Sequence, residues 1–372
     1  MGFSERIELY KKFEEKRQNP LIVYVTSVRD NMSIQMAGDA ISPIIEQINK
    51  VPEEKKEIDF LIISNGGDPI TALRIITILR ERFNKISIII PYVAYSAATI
   101  LALGADEIIM HPYSNLGPVD PQMSILKPNV FGQREQLQFS SEDIRNYVEF
   151  IRTDVGITDQ AQLITAFNSL TTDVGAINIG HSKRNQQLSL SLSTKMLETH
   201  LKDDKAKASS IAQALNISYY HHGYAVGRNE AKDIGLNIVF PEKELEDIMW
   251  SIWLDFCHEM KCKQSYDPIT EIMNNSEAKQ ILSQIPVVVL PANTPVNIGE
   301  NIIAQIAQQS AQIIQQAPIE LILPLAAIES YQISYINNYQ LNIAYWRNAN
   351  MALSYNWTAY SKGWEIVPAI GG

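Results

Sequence analysis

Four short and continuously apolar segments alternate with segments of helical spacing in the first third of the chain, and this alternation restricts the fold more than any other feature. The apolar segments are Leu21–Val25, Asp59–Ile63, Ile86–Val93 and Glu107–Met110, and the helical spacing falls at about 36–50, 71–82 and 97–104. Strands that are buried on both faces read as unbroken apolar runs, and parallel strands need a long connection that is usually a helix. The sequence therefore predicts an α/β fold whose largely parallel sheet is covered by helices.

The remainder of the chain predicts mainly helices and then a change of character. Residues 140–215 and 242–260 have helical spacing, and the composition changes near residues 264–276. Beyond that break we expect a strand at 286–290, a helix at 301–316, a strand at 319–323 and a small sheet in the segment 331–370, which is rich in Tyr, Trp and Asn. The predicted organisation is a charged N-terminal helix over 1–19, a main domain over 20–263 and a small C-terminal α/β domain over 277–372.

Two polar turns follow neighbouring apolar strands, and they contain the candidate chemistry. The turn Asn65–Asp68 follows the second apolar strand, and Tyr95–Ala98 follows the third. Ligands bind at the carboxyl edge of a parallel sheet, and glycine lets the backbone approach them closely. The amides of Gly67 and Ala97 are therefore placed to point at one developing oxyanion, with the Ser96 hydroxyl between them. Serine is also a preferred helix N-cap, and on this segment alone capping explains Ser96 better.

Four segments, taken in order, resemble a known family. Residues 59–68 (DFLIISNGGD) and 94–106 (AYSAATILALGAD) resemble the Gly-Gly turn and the nucleophile segment of Clp-fold serine proteases. Residues 111–122 (HPYSNLGPVDPQ) are similar to a segment of the serine dehydrogenase proteinase (SDH) family, which is related to signal peptide peptidase A and the Clp/crotonase superfamily. Residues 222–236 (HGYAVGRNEAKDIGL) match that family's later signature, a His-Gly turn before a helix and a return strand.

This resemblance extends over about residues 20–255 and implies a Clp/crotonase-like core. It further implies a serine endopeptidase that works without ATP, with Ser96 as nucleophile and with Gly67 and Ala97 as the oxyanion hole. Gly66 and Asp120 are expected to support the site, although Asp120 could instead stabilise a turn.

The proton acceptor for Ser96 is the open part of this prediction. A serine hydroxyl needs a nearby base. The proteolytic subunit of Clp uses a histidine and an aspartate, but this chain has Val119–Asp120 and Tyr219 near those two positions. Relatives of signal peptide peptidase A use a lysine instead.

Lys183 is the first candidate for the base, and it would form a Ser-Lys dyad with Ser96. His181 is the second candidate and Lys127 the third. At the position where the archaeal relatives have the lysine, this chain has Arg152. Arginine does not deprotonate at neutral pH, so Arg152 is excluded as the base. The adjacent imidazoles of His221 and His222 are interpreted as structural rather than as metal ligands.

Composition limits the partners that we expect. The net charge of −10 argues against a protein that tracks a nucleic-acid backbone. Cys257 and Cys262 read as two reduced thiols, and no metal or organic cofactor is expected. No apolar run reaches the ~20 residues that span a bilayer, and residues 1–19 lack the apolar core of a secretory signal. These features predict a cytoplasmic protein, and the family resemblance implies a homo-oligomer that acts on peptide or protein substrates.

Two other functions remain open on the sequence. Crotonase-like enzymes share the fold and the pair of oxyanion amides but act on thioesters such as acyl-CoA derivatives, so the fold alone does not exclude them. The departures from the Clp histidine and aspartate also allow a catalytically inactive Clp-fold scaffold or binding protein.

Overall fold

The computed structural model describes residues 2–128, 134–217, 219, 221–283, 294–313, 318–347 and 352–368. The strand expected at 286–290 lies outside the described residues. The helices are α1 (Phe3–Arg17), α2 (Ile41–Lys50), α3 (Pro69–Arg82), α4 (Ala97–Leu103), α5 (Ser141–Thr153), α6 (Gln160–Val174), α7 (Ala176–Glu198), α8 (Lys205–Ile217), α9 (Arg228–Asp233), α10 (Lys243–Glu259), α11 (Pro268–Asn274), α12 (Ser276–Ser283) and α13 (Val296–Ile313), with a 3₁₀ turn at Gly38–Ala40. The strands are β1 (Leu21–Thr26), β2 (Glu57–Ile63), β3 (Lys85–Ile90), β4 (Val93–Ala94), β5 (Glu107–Met110), β6 (Asn115–Leu116), β7 (Gln122–Pro128), β8 (Arg134–Ser140), β9 (Val226–Gly227), β10 (Ile238–Val239), β11 (Ile319–Glu329), β12 (Ile333–Arg347) and β13 (Leu353–Pro368).

An eight-stranded sheet forms the centre of the fold, in the order β10-β5-β3-β2-β1-β11-β12-β13. The strands from β10 to β1 pair in parallel, for example with Val23 opposite Leu61 and Ile88 opposite Ile108. The predicted α/β fold with its parallel sheet is therefore confirmed. The apolar run Ile86–Val93 is divided into β3 and β4, because the chain leaves the central sheet after Ile90.

Helices cover both faces of this sheet, because successive strand side chains point to opposite sides. Phe60 and Ile62 of β2 face the core formed with α2, α3, α4, α7 and α8. Leu61 and Ile63 face the core formed with α1 and α10. This two-sided burial is the physical reason why the strands read as continuous apolar runs.

The C-terminal strands continue the central sheet. β11 pairs antiparallel with β1, from Val23 opposite Glu329 to Thr26 opposite Ala326, and β12 and β13 follow as a long hairpin. The segment predicted to form a small sheet does form the paired strands β12 and β13, but they belong to the central sheet, because β11 pairs with the edge of β1. The division into domains over 20–263 and 277–372 stays a prediction.

A buried charged cluster joins the N-terminal helix to this C-terminal extension. The fully buried Arg6 of α1 donates to Glu329 of β11 at 2.8 and 2.9 Å, and to Asp255 and Glu259 of α10 at 2.6 Å. Tyr10 also donates to Glu329, at 2.6 Å. Burial raises the pKa of Glu259 and of the Tyr10 hydroxyl. The cluster thus ties three distant parts of the chain together.

Among the residues that the structure describes, no helix is both long and apolar enough to cross a bilayer.

Candidate active site

A second, three-stranded sheet of very short strands brings three parts of the chain to one place. Its order is β4-β6-β9, with Ala94 beside Leu116 and Leu116 beside Val226. Ser96 follows β4 and Asp120 follows β6, while His222 precedes β9. The sheet therefore gathers three chemically active side chains from distant sequence segments.

Ser96 lies at a sharp strand-to-helix elbow. Its backbone has φ 51° and ψ −117°, a conformation that residues other than glycine rarely adopt. It occupies the N-cap position of α4, but its side chain makes no capping hydrogen bond. Within the described parts of the chain, the hydroxyl has no hydrogen-bond partner at all. Capping therefore does not account for this serine, and held strain of this kind is typical of functional sites.

The glycine turn after β2 lies directly against this elbow. A Cβ on Gly66 would lie 2.6 Å from the Tyr95 carbonyl oxygen and 2.8 Å from the Ser96 Cβ. A Cβ on Gly67 would lie 2.3 Å from the carbonyl oxygen of Met36. Both glycines also have positive φ, at 102° and 147°. Only glycine fits at these two positions, so the predicted close approach of the turn is found here.

Two backbone N–H groups beside Ser96 have no acceptor within the part of the chain that the structure describes. Gly66 donates to the Ser64 hydroxyl at 3.0 Å, and Asp68 donates to the Met36 carbonyl at 2.9 Å. The N–H groups of Gly67 and Ala97, by contrast, donate to no acceptor among the described residues. Both residues line the same cavity as Ser96. Such a pair of free donors can stabilise a negatively charged oxygen.

That cavity has a volume of about 450 Å³ and also receives His222. The His222 Nδ1 lies 2.8 Å from Oδ1 of Asp120, and Gln122 donates to the other carboxylate oxygen at 2.8 Å. The neighbouring His221 ring accepts a hydrogen bond from the Gly223 N–H at 2.9 Å. The two adjacent histidines therefore have different environments: His221 closes a turn, whereas His222 pairs with a carboxylate.

The segment that carries Asp120 is held from three sides. Thr99 of α4 donates to the Gly117 carbonyl at 3.0 Å and accepts from the Gly117 N–H at 3.1 Å. Ser189 of α7 donates to the Val119 carbonyl at 2.6 Å, and the Val119 N–H donates to Leu215 of α8 at 3.0 Å. These bonds fix the backbone on which Asp120 stands.

The structure brings together some of the sequence-predicted residues and not others. Gly66, Gly67, Ser96 and Ala97 share one cavity wall, and Asp120 lines the adjoining cavity of about 570 Å³. The remaining candidates, Lys183, His181 and Lys127, line neither of these two cavities.

Lys183 and His181 are exposed on α7, and neither lines the cavity that contains Ser96. The Lys183 amine lies 3.4 Å from the Gln186 side-chain oxygen. Lys127 forms an exposed ion pair with Asp173.

His222 is the functional candidate that sequence reasoning passed over. The available signal was its place at the start of the family-like segment 222–236, directly before the short strand β9.

The described residues contain no group of three or more His, Cys, Asp or Glu side chains that could bind a metal ion. Cys257 and Cys262 are free thiols.

Comparison with known proteins finds two sequence relatives in an archaeon, and it also finds matches to solved structures. Two uncharacterized proteins of Methanocaldococcus jannaschii are each 26% identical to this chain. The first aligns over 63% of this chain and 73% of its own length, and the second over 52% and 56%.

Two solved mutants of a membrane-bound stomatin-specific protease, one of them in complex with a substrate peptide, also match. They are 13% and 14% identical, cover 62% and 61% of this chain and 84% and 77% of their own, and have TM-scores of 0.36 and 0.34. The model of the ClpP-like SDH-type serine proteinases matches residues 5–146, which confirms the family resemblance seen in the sequence.

Proposed function

We propose that the protein is a serine endopeptidase that cleaves peptide bonds through Ser96. The match to a serine proteinase family supports a serine peptidase in general. The observation that carries the specific proposal is the partly buried elbow serine, which lines the cavity beside two N–H groups that have no acceptor among the described residues. A helix start that served only for folding would use the hydroxyl as a cap and would not need the strained backbone.

In this proposal the Ser96 Oγ attacks the carbonyl carbon of a peptide bond. The carbonyl oxygen takes up the electron pair and moves between the N–H groups of Gly67 and Ala97. Each donor of this kind contributes about 2.7–4 kcal/mol to the stabilisation of the transition state. Collapse of the tetrahedral intermediate releases the amine and leaves an acyl-enzyme, which water then hydrolyses. These steps need neither ATP nor a metal or organic cofactor.

The walls of the cavity suggest which side chains the substrate presents. Apolar side chains line it on several sides, from Ile34, Ile100, Val119 and Leu188. An apolar substrate group that contacts these side chains would bury its surface against them, which is favourable. We therefore expect cleavage next to apolar residues.

The sequence predicts Lys183 or His181 as the base, and the geometry around Ser96 lends this prediction no support. Both side chains are exposed on α7 and are not part of the wall around Ser96. A lysine base acts in a desolvated environment, and the Lys183 side chain is exposed.

Self-association and a cytoplasmic location complete the proposal. Several apolar side chains on α5 and α6 are exposed, among them Phe150 at 54% and Ile164 at 59%. Several exposed apolar side chains on neighbouring helices are typical of a surface that binds another protein, here further copies of the chain. Sedimentation velocity of the purified protein would measure the number of copies.

The direct test of the function uses a library of peptides and maps the cleaved bonds by mass spectrometry. We expect endoproteolytic products from the wild-type protein and none from Ser96→Ala. Ser33→Ala is the matched control, since Ser33 also lines the cavity but is not at the elbow. Turnover that survives in Ser96→Ala would overturn the proposal. Hydrolysis of acyl-CoA thioesters without peptide cleavage would support crotonase-type chemistry instead.

A further inference from the structure

We infer that His222 is the general base of this site and that Asp120 positions it, so that the catalytic residues follow the chain order Ser96, Asp120, His222. This inference rests on the proposed peptidase function and names the residues that make the serine reactive. It lies partly outside the segment that matches the family model, because that match ends at residue 146.

The contact between the two side chains determines which ring nitrogen is available. An ionised carboxylate only accepts hydrogen bonds, so Nδ1 of His222 donates to Asp120 across the 2.8 Å contact. In a neutral imidazole the other nitrogen, Nε2, then carries the free lone pair. Among the described residues Nε2 has no hydrogen-bond partner. The ring is therefore held in the tautomer that a general base requires.

The lining of the cavity excludes the other acceptors. Of the described residues that line it together with Ser96, His222 alone has a basic side chain. The one carboxylate on the wall belongs to Asp68, and it caps α3 by accepting from the backbone of Ile70 and Thr71 at 3.0 and 3.2 Å. Asp68 is thus committed to the helix, and His222 is the group left to take a proton.

The fold holds the pair in place. β6 and β9 are adjacent in the small sheet, which fixes the segments that carry Asp120 and His222 relative to each other. The four hydrogen bonds to Gly117 and Val119 described above hold the backbone that leads to Asp120. The side chain of Asp120 is 12% exposed, and that of His222 is 35% exposed. These exposures fit the two roles, because a positioning carboxylate is shielded from solvent whereas a base must be accessible to the substrate.

The proton balance of the reaction is complete with this assignment. His222 Nε2 takes the proton of Ser96 as Oγ bonds to the carbonyl carbon, and it gives that proton to the leaving nitrogen as the C–N bond breaks. It then takes a proton from the water that attacks the acyl-enzyme and returns it to Ser96 Oγ as the ester bond breaks. Peptide and water are consumed, and a carboxylic acid and an amine are released.

Ser96 and His222 do not form a hydrogen bond in the substrate-free structure, because the serine hydroxyl has no partner among the described residues. Bonds between nucleophile and base are often long before substrate binds and shorten in the complex. In this inference, substrate binding brings His222 Nε2 within hydrogen-bonding distance of Ser96 Oγ.

The test compares two adjacent histidines. His222→Gln should lower kcat for peptide hydrolysis by about 10²–10⁴-fold, the usual contribution of a general base. His221→Gln and Lys183→Ala should leave kcat unchanged, since neither residue lines the cavity that contains Ser96. Added imidazole should restore part of the activity of His222→Gly, which a purely structural histidine would not allow. Circular dichroism melts would show that each variant is folded.

Asp120→Asn tests the positioning role separately. We expect a fall in kcat of about 10²-fold or more with little change in KM, because the amide no longer holds the ring in its required tautomer. Asp120→Glu should recover part of the loss.

Wild-type activity that depends on Ser96 but survives in His222→Gln would overturn the inference and leave the proposed function intact. An inactive wild-type protein would overturn both.

Discussion

The cleft around Ser96 and the cluster around Arg6 are both built from polar groups inside the fold, yet they differ in how those groups are satisfied. Arg6 donates from three nitrogens to three carboxylates, and Tyr10 adds a further bond. In the cleft, the Ser96 hydroxyl and the N–H groups of Gly67 and Ala97 have no partner among the described residues. The first arrangement stabilises the fold, whereas the second is left open for a ligand.

Burial alone therefore does not identify the functional site of this protein. The Arg6 cluster is more buried and more highly charged than the cleft, but it is paired internally and is not exposed to a cavity. The cleft is marked instead by strain, by unpaired donors and by an accessible volume. Substitutions in the two regions should therefore separate stability from activity.

The largest expected effect is on activity. Ser96→Gly should abolish peptide hydrolysis, because the nucleophile is gone. It should also raise the free energy of unfolding by about 1 kcal/mol, since glycine relieves a backbone conformation that costs roughly 1–3 kcal/mol in other residues. Kinetic assays and urea unfolding would measure the two effects. A stability loss together with retained activity would contradict the distinction between the two regions.

Arg6→Ala should have the opposite profile. It leaves the buried carboxylates of Glu329 and Asp255 without a counter-charge, and breaking a buried pair in this way costs about 3–5 kcal/mol. Activity per folded molecule should not change. Lys16→Ala is the matched control, because Lys16 forms an exposed ion pair with Glu244 and should alter the unfolding midpoint little. An Arg6→Ala protein as stable as the wild type would remove the structural role assigned to the cluster.

Gly66→Ala should lie between these cases and affect both properties. The new methyl group would meet Tyr95 and Ser96 below 3 Å, and the positive φ of this position is unfavourable for alanine. We expect a loss of about 1–3 kcal/mol and a fall in kcat from the displaced elbow. The comparison is with Gly180→Ala, where a Cβ meets nothing within 4 Å. Normal kcat in Gly66→Ala would show that the turn does not position Ser96.

The smallest effect concerns acid stability. Burial lowers the pKa of His200, whose ring lies 3.1 Å from the Leu103 carbonyl oxygen. As the pH falls below about 6.5, the unfolded chain therefore takes up a proton before the folded chain does. The free energy of unfolding should therefore decrease as the pH falls from about 6.5 to the lowered pKa of His200 in the folded protein. His200→Gln should reduce this slope in urea titrations at several pH values, and an unchanged slope would exclude His200 as its source.

The sequence was sufficient for the parallel sheet and for one side of the cleft. Apolar runs define β1, β2, β3 and β5, and the glycine turn and Ser96 stand at strand ends that local patterns reveal. These features depend on neighbours in the chain, so periodicity and turn chemistry find them.

The remaining features depend on contacts between distant residues. His222 and Asp120 are 102 positions apart and meet through strands of two residues, which are too short to leave a periodic signal. The pairing of β11 with β1 and the bond from Arg6 to Glu329, 323 positions away, are equally non-local. Such pairs follow from how the layers assemble.

The most direct test of the central claim is the covalent labelling of the folded protein with a fluorophosphonate, followed by intact-mass measurement and peptide mapping. We predict a single adduct on Ser96 in the wild-type protein, much slower labelling in His222→Gln, and labelling at the wild-type rate in His221→Gln. No adduct on Ser96 in a preparation that cleaves peptides, or equal labelling rates in the two histidine variants, would contradict the account of this cleft.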